Sequence, residues 1–243
     1  MGFLPTFTGL DISRNRFTGT FPGSFSANSK MTLLSLSANL FTGLLPSVIS
    51  SSKHLLVLAL NNNEFSGTIP DSIGELSHLH LIDLGGNCLT GSIPPFLSSL
   101  KLSGFNLESN LLTGTIPPDV SYWYNLSSFV VSDNKLTGPI PDLFYELKKV
   151  EIVSLFQNFL TSTIPLSFAN ISRLQNLYLS VNYLTGTVPV ALGRPQPHLQ
   201  YISMNNNQLY GNIPNSLQNA VIMLRLDLSE NHISGHIPDF LNS

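Results

Sequence analysis

Leucines and small polar residues alternate in short bursts along the whole chain, and the bursts recur at a fixed step. In Leu55-Leu56-Val57-Leu58-Ala59-Leu60 the leucines at 55, 58 and 60 face one core, while Ala59 points the other way. That period of two predicts a strand of about three residues. The same alternation recurs at Leu34-Ser35-Leu36, at Val153 with Leu155, at Leu177-Tyr178-Leu179 and at Leu226-Asp227-Leu228. One short strand per unit, stacked on its neighbours, predicts a parallel sheet.

A polar residue closes each burst. Asparagine stands at 15, 39, 63, 87, 110, 134, 158, 182, 207 and 231, with gaps of 24, 24, 24, 23, 24, 24, 24, 25 and 24. A period near 24 over ten units predicts one elongated solenoid over residues 1–243, with no linker. After the strand the chain turns away and leaves backbone groups that no strand partner satisfies. A carboxamide both donates and accepts, so an inward Asn15, Asn39, Asn63, Asn87, Asn110, Asn134, Asn158, Asn182, Asn207 or Asn231 is expected to bond to the backbone of its own and the next unit. The residue two positions on is apolar in every unit, from Phe17 to Ile233, and so is the residue before each proline; both rows are expected to line the core. Glycine follows four positions after the asparagine in nine units, with Ser162 the exception, which suits a turn needing positive φ or close backbone approach. Proline follows seven positions after it in all ten, so the return side is expected to be extended with short helical turns at most.

The consensus Leu-x-x-Leu-x-Leu-x-x-Asn followed by Leu-Thr-Gly-x-Ile-Pro, as in Leu136-Thr137-Gly138-Pro139-Ile140-Pro141, resembles the plant-specific leucine-rich repeat. The resemblance runs over roughly residues 7 to 243. It implies an α/β-type, strand-rich repeat solenoid: a right-handed superhelix with a concave parallel sheet and turns with short 3-10 segments on the convex side. It also implies a recognition role at the cell surface, as in the ectodomains of plant receptor-like kinases and receptor-like proteins. The alternative is a secreted inhibitor of microbial cell-wall polygalacturonases. Such proteins usually carry cysteine-paired caps. Neither pair is present here, so the chain is expected to be a segment of something longer.

Composition narrows the function. Only 10% of residues are charged, and the formal net charge is −3 with no cationic run, which argues against a nucleic-acid partner. No stretch of 18 apolar residues exists to span a bilayer, and the N-terminus lacks the basic start and apolar core of a secretory signal. Cys88, the single cysteine, excludes an internal disulfide and is expected to be a buried small residue. The six histidines complete no metal spacing, and no nucleophile stands beside a base and an orienter, so neither a metal, a cofactor nor catalysis is expected.

A sheet of ten strands spreads over roughly 43 Å, and its outward positions form a grid for a ligand. Seven carboxylates (Asp11, Asp83, Glu108, Asp133, Glu151, Asp227, Glu230) stand on that grid against Arg14 and Arg225, which favours a peptide or protein ligand with basic groups. Phe156, Tyr178 and Tyr201 are its only aromatics, in units seven to nine, surrounded by Ile152, Asn176, Val181, Gln200 and Asn205. These eight residues form the candidate ligand patch; the plainer alternative is rings stacked along the strands. A co-receptor is a second expected partner. The sequons at Asn125 and Asn170 are expected glycan acceptors if the chain is secreted. The residue lost near Leu100-Lys101-Leu102 and the one gained near Arg194-Pro195-Gln196-Pro197 both fall on the return side.

Overall fold

A computed structural model of the chain describes residues 7–21, 30–118, 123–142, 144, 147–194 and 197–241. Ten parallel strands build one sheet in strict chain order: Gly9–Asp11, Leu33–Ser35, Val57–Ala59, Leu81–Asp83, Gly104–Asn106, Ser128–Val130, Ile152–Ser154, Asn176–Tyr178, Tyr201–Ser203 and Arg225–Asp227. The register carries over from unit to unit, as in Ile152 opposite Asn176 and Asn176 opposite Tyr201. In the inner strands the middle residue is buried and the flanking ones turn outward, following the period of two.

Past most of the asparagines the alternation continues into a second set of short parallel strands along the side of the solenoid, reduced to isolated bridges at Thr113 and Thr185. Thr18–Thr20, Leu40–Leu44, Glu64–Thr68 and Cys88–Thr90 form a sheet, and Thr137–Pro139 pairs with Phe159–Thr161. Cys88 lies exposed here, contrary to the expected burial. In the strand Cys88–Thr90 it is Leu89 that turns into the core, so alternation puts the thiol outside. After seven of the ladder prolines the described return side makes 3-10 turns of three to five residues, among them Ser47–Ser51, Asp71–Glu75 and Leu166–Asn170. The proline preceding them is extended, with φ of −79°, −72° and −60°. Among the described residues there is no α-helix, and no helix is long and apolar enough to cross a membrane.

The core is one column of stacked leucines, isoleucines and rings along the solenoid. A fully buried leucine contributes roughly 1.5–3 kcal/mol, so every inner unit is stabilised mainly by its neighbours. At the ends that cover is missing. Phe17 and Ile237 occupy the two expected core rows yet are 47% and 66% exposed. Where the fifth unit is one residue short, Leu100 leaves the 3-10 turn with ψ of 142° instead of the 66° seen at Ser52 and Leu76. The adjoining core holds large rings: Trp123 lies 5.0 Å from Phe105 and 5.6 Å from Phe129, and its indole N–H donates to Leu97 O at 2.9 Å.

The ladder asparagines bond to the backbone of their own unit and of the unit before, where the expectation was the unit after. Asn158 Nδ2 donates to Leu155 O and Phe156 O in its own unit and to Val131 O in the unit before, at 3.1–3.3 Å. Its Oδ1 accepts the Leu136 N–H, also in the unit before. The side chains therefore reach back, and the next unit is not involved. Where the strands start, the main-chain N–H groups point back, as in Glu151 N donating to Ser127 O, but at the ladder corner they point forward, as in Leu155, Gln157 and Asn158 N donating to Tyr178, Ser180 and Val181 O, which leaves the backward direction there for the amides. Asn15 has no described unit behind it; it is exposed, and among the described residues its side-chain amide donates to Ile12 O and Ser13 O alone.

Candidate functional site

The large sheet turns one face to the core and one to solvent. On the solvent face, residues six, four and two positions before each ladder asparagine form three rows. Ile152, Asn176 and Tyr201 share the first row, and Tyr178 stands in the second between Ser154 and Ser203. Phe156 belongs to the third, with Ser132, Ser180 and Asn205. The three aromatics therefore occupy different rows. Among the described residues none of them stacks on another.

What the rows create instead is a recess of about 380 Å³ spanning units five to eight. Serines 132, 154 and 180 form its floor because they are too short to fill it, and Val130, Ile152, Phe156, Tyr178 and Glu108 stand around them. The Ser132 hydroxyl is the unusual group. The residue is 1% exposed and its Oγ has no hydrogen-bond partner. An orphaned buried hydroxyl is costly and rare.

Of the eight predicted residues, the recess gathers Ile152, Phe156 and Tyr178. Asn176 and Tyr201 continue the first row beside it, half-buried. Gln200 and Asn205 lie farther along, and Asn205 Oδ1 accepts from Ser203 Oγ at 2.9 Å. Val181 belongs to a different feature, a lateral groove of about 560 Å³ beyond the ladder.

That groove holds the residues the sequence reading missed. Phe159 and Tyr183 each follow a ladder asparagine directly, are 44% and 49% exposed, and stack with ring centroids 6.1 Å apart and planes 16° from parallel. Their outward direction follows from the same alternation that buries Leu160 and Leu184. Val181 beside them is 43% exposed and held at φ 55°, a left-handed conformation that is an outlier for a β-branched residue. All ten residues before the ladder asparagines share this conformation, Gly86 included.

The face is acidic, but its carboxylates differ in how far they are already bound. Asp133 accepts from Ser109 Oγ at 3.0 Å and from Gln157 Nε2 at 2.7 Å. Asp227 is held below the ordinary carboxylate range chiefly by the Ser229 hydroxyl and also pairs with Arg225 at 3.1 Å. Burial pushes Asp83 upward against opposing hydrogen bonds from the Gly85 N–H and the Asn106 side chain. Nothing in the described residues gathers three His, Cys, Asp or Glu side chains around a metal position.

Two family profiles match, both described as leucine rich repeat, one over residues 5–65 and the other over 78–100, 125–147, 173–194, 198–220 and 223–243. No curated protein sequence gives a match. Among solved structures, the ectodomain of the Arabidopsis thaliana receptor kinase GASSHO1/SCHENGEN3, in complex with CASPARIAN STRIP INTEGRITY FACTOR 2, superposes with a TM-score of 0.94 at 34% identity, covering 96% of this chain and 28% of that one. The Arabidopsis receptor kinase HAESA, solved with the peptide hormone IDA and the co-receptor SERK1, gives 0.91 at 34% identity, covering 95% and 39%. A plant ice-binding protein gives 0.63 at 28% identity, covering 81% and 71%. The chain thus spans well under half the length of the two receptor ectodomains, and the same architecture serves an unlike purpose in the third.

Proposed function

The chain belongs to the leucine-rich repeat family, and from that premise we propose that it is a non-enzymatic recognition segment of a plant receptor-like protein or receptor kinase ectodomain. It binds a peptide or protein ligand at the cell surface, on the solvent face of the large sheet. The observation that carries this reading is the recess over Ser132. An unpartnered buried hydroxyl beneath Phe156 and Tyr178 supplies a hydrogen-bonding group, two rings and an aliphatic wall at Ile152, which is the composition of a binding hot spot. Glu108 at its edge, with no ion pair among the described residues, favours a ligand segment with a basic group. Asn176, Tyr201, Gln200 and Asn205 extend the contact beyond the recess, Val181 marks the lateral groove, and a co-receptor would use a separate surface. Asn170 is exposed at the end of a 3-10 turn and Asn125 is half-buried, so glycosylation is favoured at Asn170.

The test is a screen of synthetic peptides carrying basic residues against the full chain, followed by variants. Phe156→Ala and Tyr178→Ala should each weaken the best peptide by about tenfold or more, whereas Tyr201→Ala, outside the recess, should cost less. Unchanged affinity in both recess variants overturns the assignment. Binding of a polygalacturonase in place of any peptide would favour the secreted-inhibitor reading.

A further inference from the structure

One unit of the solvent face is unlike the other nine. At the two positions before the ladder asparagine every other unit carries side chains, whereas the fourth has Gly85 and Gly86. The missing side chains leave a notch of about 200 Å³ in the third row, bordered by Asn61 and Asn62 on one side and by Asn106, Glu108 and Ser109 on the other. Two carboxamides lean into it. A Cβ on Gly86 would stand 2.6 Å from Asn62 Oδ1, and one on Gly85 would stand 3.0 Å from Asn106 Nδ2.

The groups around the notch favour a cation. Glu108 makes no ion pair among the described residues. Asn61 Oδ1 accepts from Ser37 Oγ at 2.5 Å, which leaves it a second lone pair. Asp83, in the neighbouring row, accepts from the Gly85 N–H at 3.1 Å and from the Asn106 side chain, and burial pushes its carboxyl upward. The outward positions of units three to five hold no lysine or arginine to balance these two carboxylates. Glu108 is also a wall of the recess over Ser132. Gly85, Glu108 and Ser132 follow one another along the third row, as the register of Leu81 opposite Gly104 and Gly104 opposite Ser128 requires. Notch and recess floor are therefore two strand steps apart, roughly 10 Å. A polyproline II segment returns to the same face every three residues, after about 9.3 Å.

We propose that the notch is an arginine subsite: the guanidinium of a ligand arginine sits against Glu108 and the amide oxygens of Asn61 and Asn62, while the ligand residue three positions away enters the recess over Ser132. The subsite rests on the solvent face being the ligand surface, and it adds the chemistry and the spacing that a ligand must have. Guanidinium fits better than ammonium, because its donors spread in a plane that meets several acceptors at once and because it gives up water more readily. Where other units place serine, asparagine or a larger residue, the same head group would find the row filled.

The experiment titrates the isotope-labelled full chain with N-acetyl-arginine methylamide and reads the amide signals of Gly85, Gly86 and Ser109. These signals should shift and saturate, N-acetyl-lysine methylamide should bind at least about threefold more weakly, and Glu108→Gln should weaken the arginine probe at least about fivefold. Gly85→Ser fills the notch with the residue that five other units hold there and should abolish the shifts, with the fold checked by circular dichroism. Of the acetylated and amidated tetrapeptides, Arg-Ala-Ala-Phe or Phe-Ala-Ala-Arg should bind about tenfold tighter than Ala-Ala-Arg-Phe. Absent shifts, shifts that survive Gly85→Ser, or equal affinity of the lysine probe overturn the subsite, and affinity indifferent to spacing overturns its link to the recess. The single-residue probe needs nothing from the recess. Tetrapeptides indifferent to Phe156→Ala, with that probe still bound, would remove the recess reading and leave the arginine notch standing.

Discussion

The two rims of the large sheet are built on opposite plans. At the ladder rim one residue type recurs in all ten units, its side chain largely buried and its hydrogen bonds spent on the backbone. At the leading rim, where the strands begin nine residues before the ladder asparagine, the side chains from Lys30 to His198 vary among lysine, histidine, arginine and asparagine and stand exposed apart from the half-buried Asn125. The same repeat produces both, so its period alone does not reveal which positions serve the fold and which are left over for partners. Burial and committed hydrogen bonds do. The difference also explains why a chain with few charges can carry sharply separated ones: the fold draws little stability from exposed side chains at the leading rim.

Substitution separates the rims, with the largest effect at the ladder. Asn158→Ala removes bonds to Val131 O, Leu155 O, Phe156 O and the Leu136 N–H, leaving buried polar groups unpaired. It should cost about 3 kcal/mol or more in denaturant unfolding, while Asn15→Ala, with its two exposed bonds, should cost less than about 1 kcal/mol. Equal losses at both would break the argument that backward reach gives the ladder its strength. A smaller effect, of opposite sign, is expected at Ser162. It sits at φ 72°, where nine other units have glycine at φ from 75° to 93°. Ser162→Gly should raise stability by about 1 kcal/mol, read as a shift in the urea midpoint. Smallest of all is the leading rim itself. Lys53→Met and Glu75→Gln, whose side chains are 53% and 58% exposed, should each stay within about 0.5 kcal/mol in the same assay.

Much of this was legible from the chain because the repeat shows each environment ten times. The strand positions, the buried leucine rows, the ladder and the positive-φ glycines all follow from residue types that physical necessity holds nearly constant. Even the Ser162 exception has a local context. In five of the other units the methyl of a threonine from the preceding unit packs over the glycine; a Cβ on Gly91 would meet Thr68 Cγ2 at 2.9 Å and one on Gly138 would meet Thr115 Cγ2 at 2.9 Å. In the unit preceding Ser162 that threonine is replaced by Pro139.

Illegible were features that the backbone imposes whatever the residue. The left-handed position before each asparagine is filled by Arg14, Ala38, Asp133, Val181 and others with no common chemistry, so no residue preference announces it. The direction of the amide bonds depends on which way the neighbouring N–H groups point, a choice made by the stacked strands and not by the asparagine. For the candidate site, the rings at Phe156, Tyr178 and Tyr201 could be placed on the outward face from spacing alone. Their separation into three rows, and the serine floor that opens a recess between them, required the cross-strand register. Phe159 and Tyr183 escape that reading because past the asparagine it follows the inward rows and not the outward residues between them.

The backward reach of the ladder gives the stack a direction in time. A ribosome releases the chain from its N-terminus, so when Asn158 leaves the exit tunnel its partners Val131 O and the Leu136 N–H are already outside. Each new turn can clamp onto the finished one while its successor is still unmade, and the molecule can be assembled like a wall laid course upon course.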